Sequence, residues 1–130
     1  MRGLERLRGL RLVAQPAAVD GARWDGDPAE LTVLRFAPDD AFGIGARGVE
    51  VDDEHAIVED EIGYVGAWLS DEVLEHLVLP RIDWPLPTER PVLAQGLVAG
   101  VPAKLWLTED RRALLLAAAP FAEELRARLR

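Results

Sequence analysis

Residues 92–118 read VLAQGLVAGVPAKLWLTEDRRALLLAA, and this stretch decides the fold. Val92 to Val98 and Val101 to Leu107 are β-rich runs on either side of Ala99-Gly100, the punctuation of a tight hairpin. Thr108 to Arg112 is a polar turn, and Ala113 to Ala118 is a third strand. Beyond it, Pro120 suits the first turn of a helix from Phe121 to Arg130, in which Phe121, Leu125 and Leu129 recur at i, i+4, i+8 and Arg126, Arg128 and Arg130 lie at the negative end.

Toward the N-terminus, Pro85, Pro87 and Pro91 punctuate an extended crossover from Arg81 to Pro91. Ser70-Asp71-Glu72 starts a helix, because a serine oxygen caps an orphan backbone N–H and two acids favour the positive end of the dipole. That helix carries Val73, Leu74, Leu77 and Val78 and stops at Pro80. Two strands precede it, Ala56 to Val58 and Gly63 to Leu69. Leu31 to Phe36 is a strand ended by the turn Ala37-Pro38-Asp39-Asp40, and Ala41 to Ala46 is a second short one. Residues 1–14, with Leu4, Leu7, Leu10 and Leu12 among arginines, fit a short helix running into an extended arm, and 15–28 read as a connection. The expectation is an arm and linker over 1–30 and one α+β domain over 31–130, its sheet antiparallel or mixed with helices on one face.

Composition narrows the function. A chain of 130 residues, 49% hydrophobic and 29% charged, is an ordinary globular domain with one core. No apolar run reaches the roughly 20 residues of a membrane-spanning helix, and no apolar stretch or cleavage pattern of a secretory signal follows the first arginines, so the expected address is the cytoplasm. With no cysteine there is no disulfide, thiolate metal site or cysteine nucleophile. The net charge of −8 resides between Asp39 and Glu61, where nine acids face the single Arg47. Such a surface repels phosphate backbones and argues against nucleic acid.

Few residues can carry chemistry. Gly43-Ile44-Gly45-Ala46-Arg47-Gly48 spells G-x-G-x-x-G, but acids rather than an apolar helical period follow, and the plain reading is a glycine-rich strand and turn. His55 stands among Asp52, Asp53 and Glu59; on a strand, His55 and Glu59 share a face, which makes His55, Glu59 and Asp52 the candidates for a metal, although no recognised ligand spacing is met. His76 reads as a boundary residue of the helix, and Ser70, the only serine, is its cap, so no catalytic triad is expected. Trp68 and Trp106 lie within strands, where core packing is the default. Trp84 and Leu86 in the crossover, and Trp24, are candidates for binding a partner; Trp84 reads equally as a lid on its own core.

The run from His55-Ala56-Ile57-Val58 through Gly63 to Leu69, the helix at Val73-Leu74, the crossover Ile82-Asp83-Trp84-Pro85-Leu86-Pro87, and the stretch Val92 to Trp106 resemble the γ subunit of heterotetrameric sarcosine oxidase. Leu34 to Asp40 and Phe121 to Leu125 are similar too, so the likeness covers residues 31–130. It implies the aminomethyltransferase-like folate-binding fold and a non-catalytic accessory subunit that binds no cofactor itself. Flavin (FMN or FAD), NAD and tetrahydrofolate would belong to partner subunits that demethylate sarcosine oxidatively. In aminomethyltransferases an aspartate follows the glycine of the hairpin turn; here Gly100 is followed by Val101-Pro102-Ala103-Lys104, which argues against independent activity. Two other readings stand beside this one. The first is an acidic binding or regulatory module, alone or as a homodimer, and the second a metal-dependent enzyme at His55.

Overall fold

The computed structural model describes residues 3–130, which divide into two compact units, one of residues 7–62 and one of residues 3–6 with 63–130. The fold is α+β, and every strand pairing within the two units is antiparallel.

In the unit of residues 63–130, the upper half of β6 (Ile57–Leu69) is followed by a helical segment and then by β7 (Val92–Val98), β8 (Val101–Leu107) and β9 (Ala113–Ala118), in the spatial order β6-β9-β8-β7. These last three strands have the bounds that their alternation predicts. Ala99 (φ 51°) and Gly100 (φ 79°) both take left-handed backbone, the paired geometry that matches hairpin twist. Because the side-chain period of a strand is two, odd residues of β6, β8 and β9 share one face with even residues of β7. On that face Val65, Ala67, Leu69, Ala94, Val98, Val101, Leu105, Leu107 and Leu115 form the core.

Helices cover this face. Ser70 caps the first, its Oγ accepting from the Val73 amide at 3.2 Å as the sequence predicts. Only α2 (Asp71–Val73) is α-helical; a π-helical turn, Leu74–Val78, and a 3-10 turn, Leu79–Arg81, complete the segment before Ile82 returns to extended backbone. Leu74 and Val78 reach the core. At the C-terminus a 3-10 turn over Ala119–Phe121 leads into α3 (Ala122–Arg128), which adds Leu125 (0% exposed), and its C-cap residue Leu129 (1%) is buried with it.

In the unit of residues 7–62 the helix expected near the N-terminus is a strand, β1 (Glu5–Val13). Leu4, Leu7 and Leu10 have helical spacing, but within β1 Leu12 is the buried leucine and Leu10 shares its face, while Leu4 is buried just before the strand, so the even positions follow the period of a strand. The expected connection holds a short helix, α1 (Pro16–Asp20), and a strand, β2 (Arg23–Asp25). Then come β3 (Thr32–Ala37), β4 (Asp40–Ile44) and β5 (Gly48–Glu50), with β4 lying between β3 and β1, and β2 pairing β5. The two strands expected before Ser70 are one, β6, because Glu59-Asp60-Glu61 continue as extended backbone. A small core of Leu12, Ala14, Ala18, Val19 and Ala41 has Trp24 and Val49 packed against it.

Candidate functional site

The acidic stretch does not gather into a metal centre. Asp53 is committed to the backbone: its carboxylate accepts the Gln15 amide at 2.9 Å and the His55 amide at 2.9 Å, and these two bonds, the first foremost, hold its pKa below the ordinary carboxylate range. His55 is 87% exposed, with Nε2 3.4 Å from the equally exposed Glu54. Asp52 and Glu59 are exposed, and among the described residues no group of three or more His, Asp or Glu side chains converges as metal ligands. His76 is exposed on the π-helical turn, its Nδ1 2.8 Å from the Glu72 carbonyl.

Two of the nine acids, Asp40 and Glu61, belong to an ion-pair cluster in the same unit. Arg11 donates to both oxygens of Asp40, at 2.6 and 2.7 Å, and to Glu61 at 2.7 Å, while its guanidinium lies 4.6 Å from the Phe36 ring centroid. The fork geometry of guanidinium against carboxylate makes this a strong, part-buried pair. About a quarter or less of each side chain is exposed, so removing the cation takes a counter-charge from two part-buried carboxylates. Arg11→Ala is expected to lower stability by about 2 kcal/mol, read as a drop in urea midpoint, with Arg11→Lys recovering only part because it lacks the fork.

The glycine fingerprint is a strand and turn. Gly43 and Ile44 close β4, Gly45 (φ 80°) turns the chain, and β5 follows where a dinucleotide site needs a helix N-terminus. Gly43 leaves room for Trp24: a Cβ there would lie 2.3 Å from the indole. Trp24 therefore packs on its own unit. Trp84 does likewise. Its indole lies over Gly96, where a Cβ would come within 2.5 Å, its Nε1 donates to the Leu97 carbonyl at 2.8 Å, and it packs with Leu86 against the core. Trp84 thus covers its own core, as the lid reading has it, and remains partly exposed.

The opposite face of the 63–130 sheet carries a feature that the sequence reading passed over. The register sets Gln95 beside Lys104 beside Leu116, with Tyr64 opposite Ala118. Together with Leu97 and Phe121 they line a cavity of about 370 Å³. Lys104 Nζ donates to Gln95 Oε1 at 2.9 Å. Apolar walls with an ammonium and an amide at one side suit a small apolar group bearing an acceptor or anion. Neither serine nor histidine lines the cavity. The same alternation places Trp68 on this face, 44% exposed beneath the Arg112 guanidinium at 4.7 Å, rather than in the core as expected; Trp106 is half-buried. Arg112 is oriented by Asp110, which also accepts from Thr108 Oγ1, and those two bonds, Thr108 first, lower the Asp110 pKa.

No protein-family model and no curated protein matches the chain. A chain of the heterotetrameric sarcosine oxidase from Corynebacterium sp. U-96, solved in complex with pyrrole 2-carboxylate, is similar in structure, with a TM-score of 0.72 over 98% of this chain and 80% of that one at 17% identity. The chain has a sarcosine oxidase subunit-like fold. The likeness spans the N-terminal residues that the sequence resemblance left out, because β1, α1 and β2 are part of the architecture. No described helix is long and apolar enough to cross a membrane.

Proposed function

We propose that this chain is a non-catalytic, γ-like accessory subunit of a sarcosine oxidase-type flavoenzyme complex. The observation that carries the reading is the structural likeness to a chain of a heterotetrameric enzyme over 98% of this chain and 80% of that one. Flavin, NAD and tetrahydrofolate chemistry is then assigned to partner chains in the cytoplasm, and this chain supplies a folded surface for assembly. The side chains agree with that assignment. The one serine is a cap, both histidines are exposed, and the hairpin turn leads into Val101-Pro102-Ala103-Lys104 without an aspartate.

The test is gentle purification of the tagged chain from its native cells, with mass spectrometry of what accompanies it and a visible spectrum of the eluate. A stoichiometric flavoprotein partner with a flavin spectrum and sarcosine-dependent reduction is the expected result. A colourless eluate holding this chain alone or only with itself would overturn the reading and leave the likeness as shared fold ancestry.

A further inference from the structure

Strand β7 ends its sheet, and its sequence is nearly palindromic about Gln95. Val92-Leu93-Ala94 on one side is matched by Gly96-Leu97-Val98 on the other, large for large and small for small. With Ala99-Gly100 as a two-residue turn, Val98 and Val101 form the first hydrogen-bonded pair, and alternate residues back along the strand follow. Leu93, Gln95 and Leu97 therefore turn their N–H and C=O groups away from β8. Among the described residues only one of these six groups is taken, the Leu97 carbonyl, by the Trp84 indole N–H. The strand has none of the charges, prolines or bulges that usually protect an edge, and Leu97 is 51% exposed.

We infer that β7 is a self-association edge, where two copies of this chain pair antiparallel about a two-fold axis through Gln95. This register sets Gln95 against Gln95 of the second copy and Leu93 against Leu97, each pair exchanging two backbone hydrogen bonds. On one face the leucines of the two copies meet, and the Gln95 carboxamide, held by Lys104, meets its twin. On the other face Ala94 meets Gly96, small residues that leave space for the Trp84 lids. An identical strand is the occupant that the palindrome fits; a shift of two residues would set Gln95 against leucine. Trp84 guards the edge, since full pairing exchanges its bond to the Leu97 carbonyl for the N–H of Leu93 from the second copy. The inference does not depend on the proposed role in a flavoenzyme complex.

Sedimentation of the purified full chain as a function of concentration tests it. A reversible dimer is expected, tighter at higher salt because each copy carries a net charge of −8. Gln95→Lys places like charges at the axis and should raise the dissociation constant about tenfold or more, and Leu97→Arg, also at an exposed position, should do the same. Trp84→Phe keeps a ring over Gly96 without the N–H and should tighten the dimer. Amide exchange at Leu93 and Gln95 should slow as the dimer forms. A chain monomeric at every concentration, or a dimer indifferent to both charge substitutions while their melting is unchanged, would overturn the inference.

Discussion

Leu125→Ala is expected to destabilise the chain by about 2–5 kcal/mol, a large share of the stability of a domain this size. Leu125 is fully buried, and it shares one cluster with Leu74 and Val78 of the first helical segment and with Val98, Val101, Leu105 and Leu115 of the sheet. Both helical segments and the sheet thus contribute to the one core that holds this side chain. Truncation removes the apolar burial and leaves a cavity whose walls come from strands tied by their ladders, so little collapse can offset it. Leu77, which is half-buried against the same cluster, should cost less than half as much on truncation. Ala127→Ser, on the exposed side of α3, should stay within about 0.5 kcal/mol of the parent. Urea unfolding of the three variants checks the order. Equal losses for Leu125 and Leu77 would mean that the π-helical turn, rather than α3, closes this core.

How much was legible follows from the range of the interactions. The three strands over 92–118 announce themselves because alternation and turn residues are local, and so do the Ser70 cap and the Leu125–Leu129 stripe. β1 was hidden. Its leucines have helical spacing, and the partner that makes it a strand, β4, is some thirty residues away. The acidic stretch reads as a candidate metal site because Arg11, which clamps Asp40 and Glu61, lies outside it in sequence. Asp53 stands in sequence as one more carboxylate beside His55, whereas it accepts the backbone amides of Gln15 and His55. The cavity beside Tyr64, Gln95 and Lys104 could have been found from strand parity alone, once the register of β7, β8 and β9 was written out.

Gly9→Ala is expected to cost about 3 kcal/mol, because it is an overpacking change with no side chain free to yield. A Cβ on Gly9 would lie 1.9 Å from the Gly43 carbonyl oxygen, 2.8 Å from its carbon and 3.0 Å from the Ile44 Cα, all backbone of the paired strand. Room could come only from separating β1 from β4, which breaks the ladder that pairs Gly9 with Ile44 and Leu10 with Gly43. Leu12, at 0% exposure the anchor of the small core, lies on the same ladder and would lose its seat. Gly43→Ala is the informative comparison. Its Cβ would meet the Trp24 ring at 2.3 Å, a side chain that can turn outward, so its cost should be about 1–3 kcal/mol and below that of Gly9→Ala. Trp24→Ala combined with Gly43→Ala should then recover part of the loss of Gly43→Ala alone, while the same truncation should do nothing for Gly9→Ala. Chemical denaturation of the four variants reads this directly. The reverse order would show that the close approach of two backbones at Gly9 matters less than the seat that Gly43 gives the Trp24 indole.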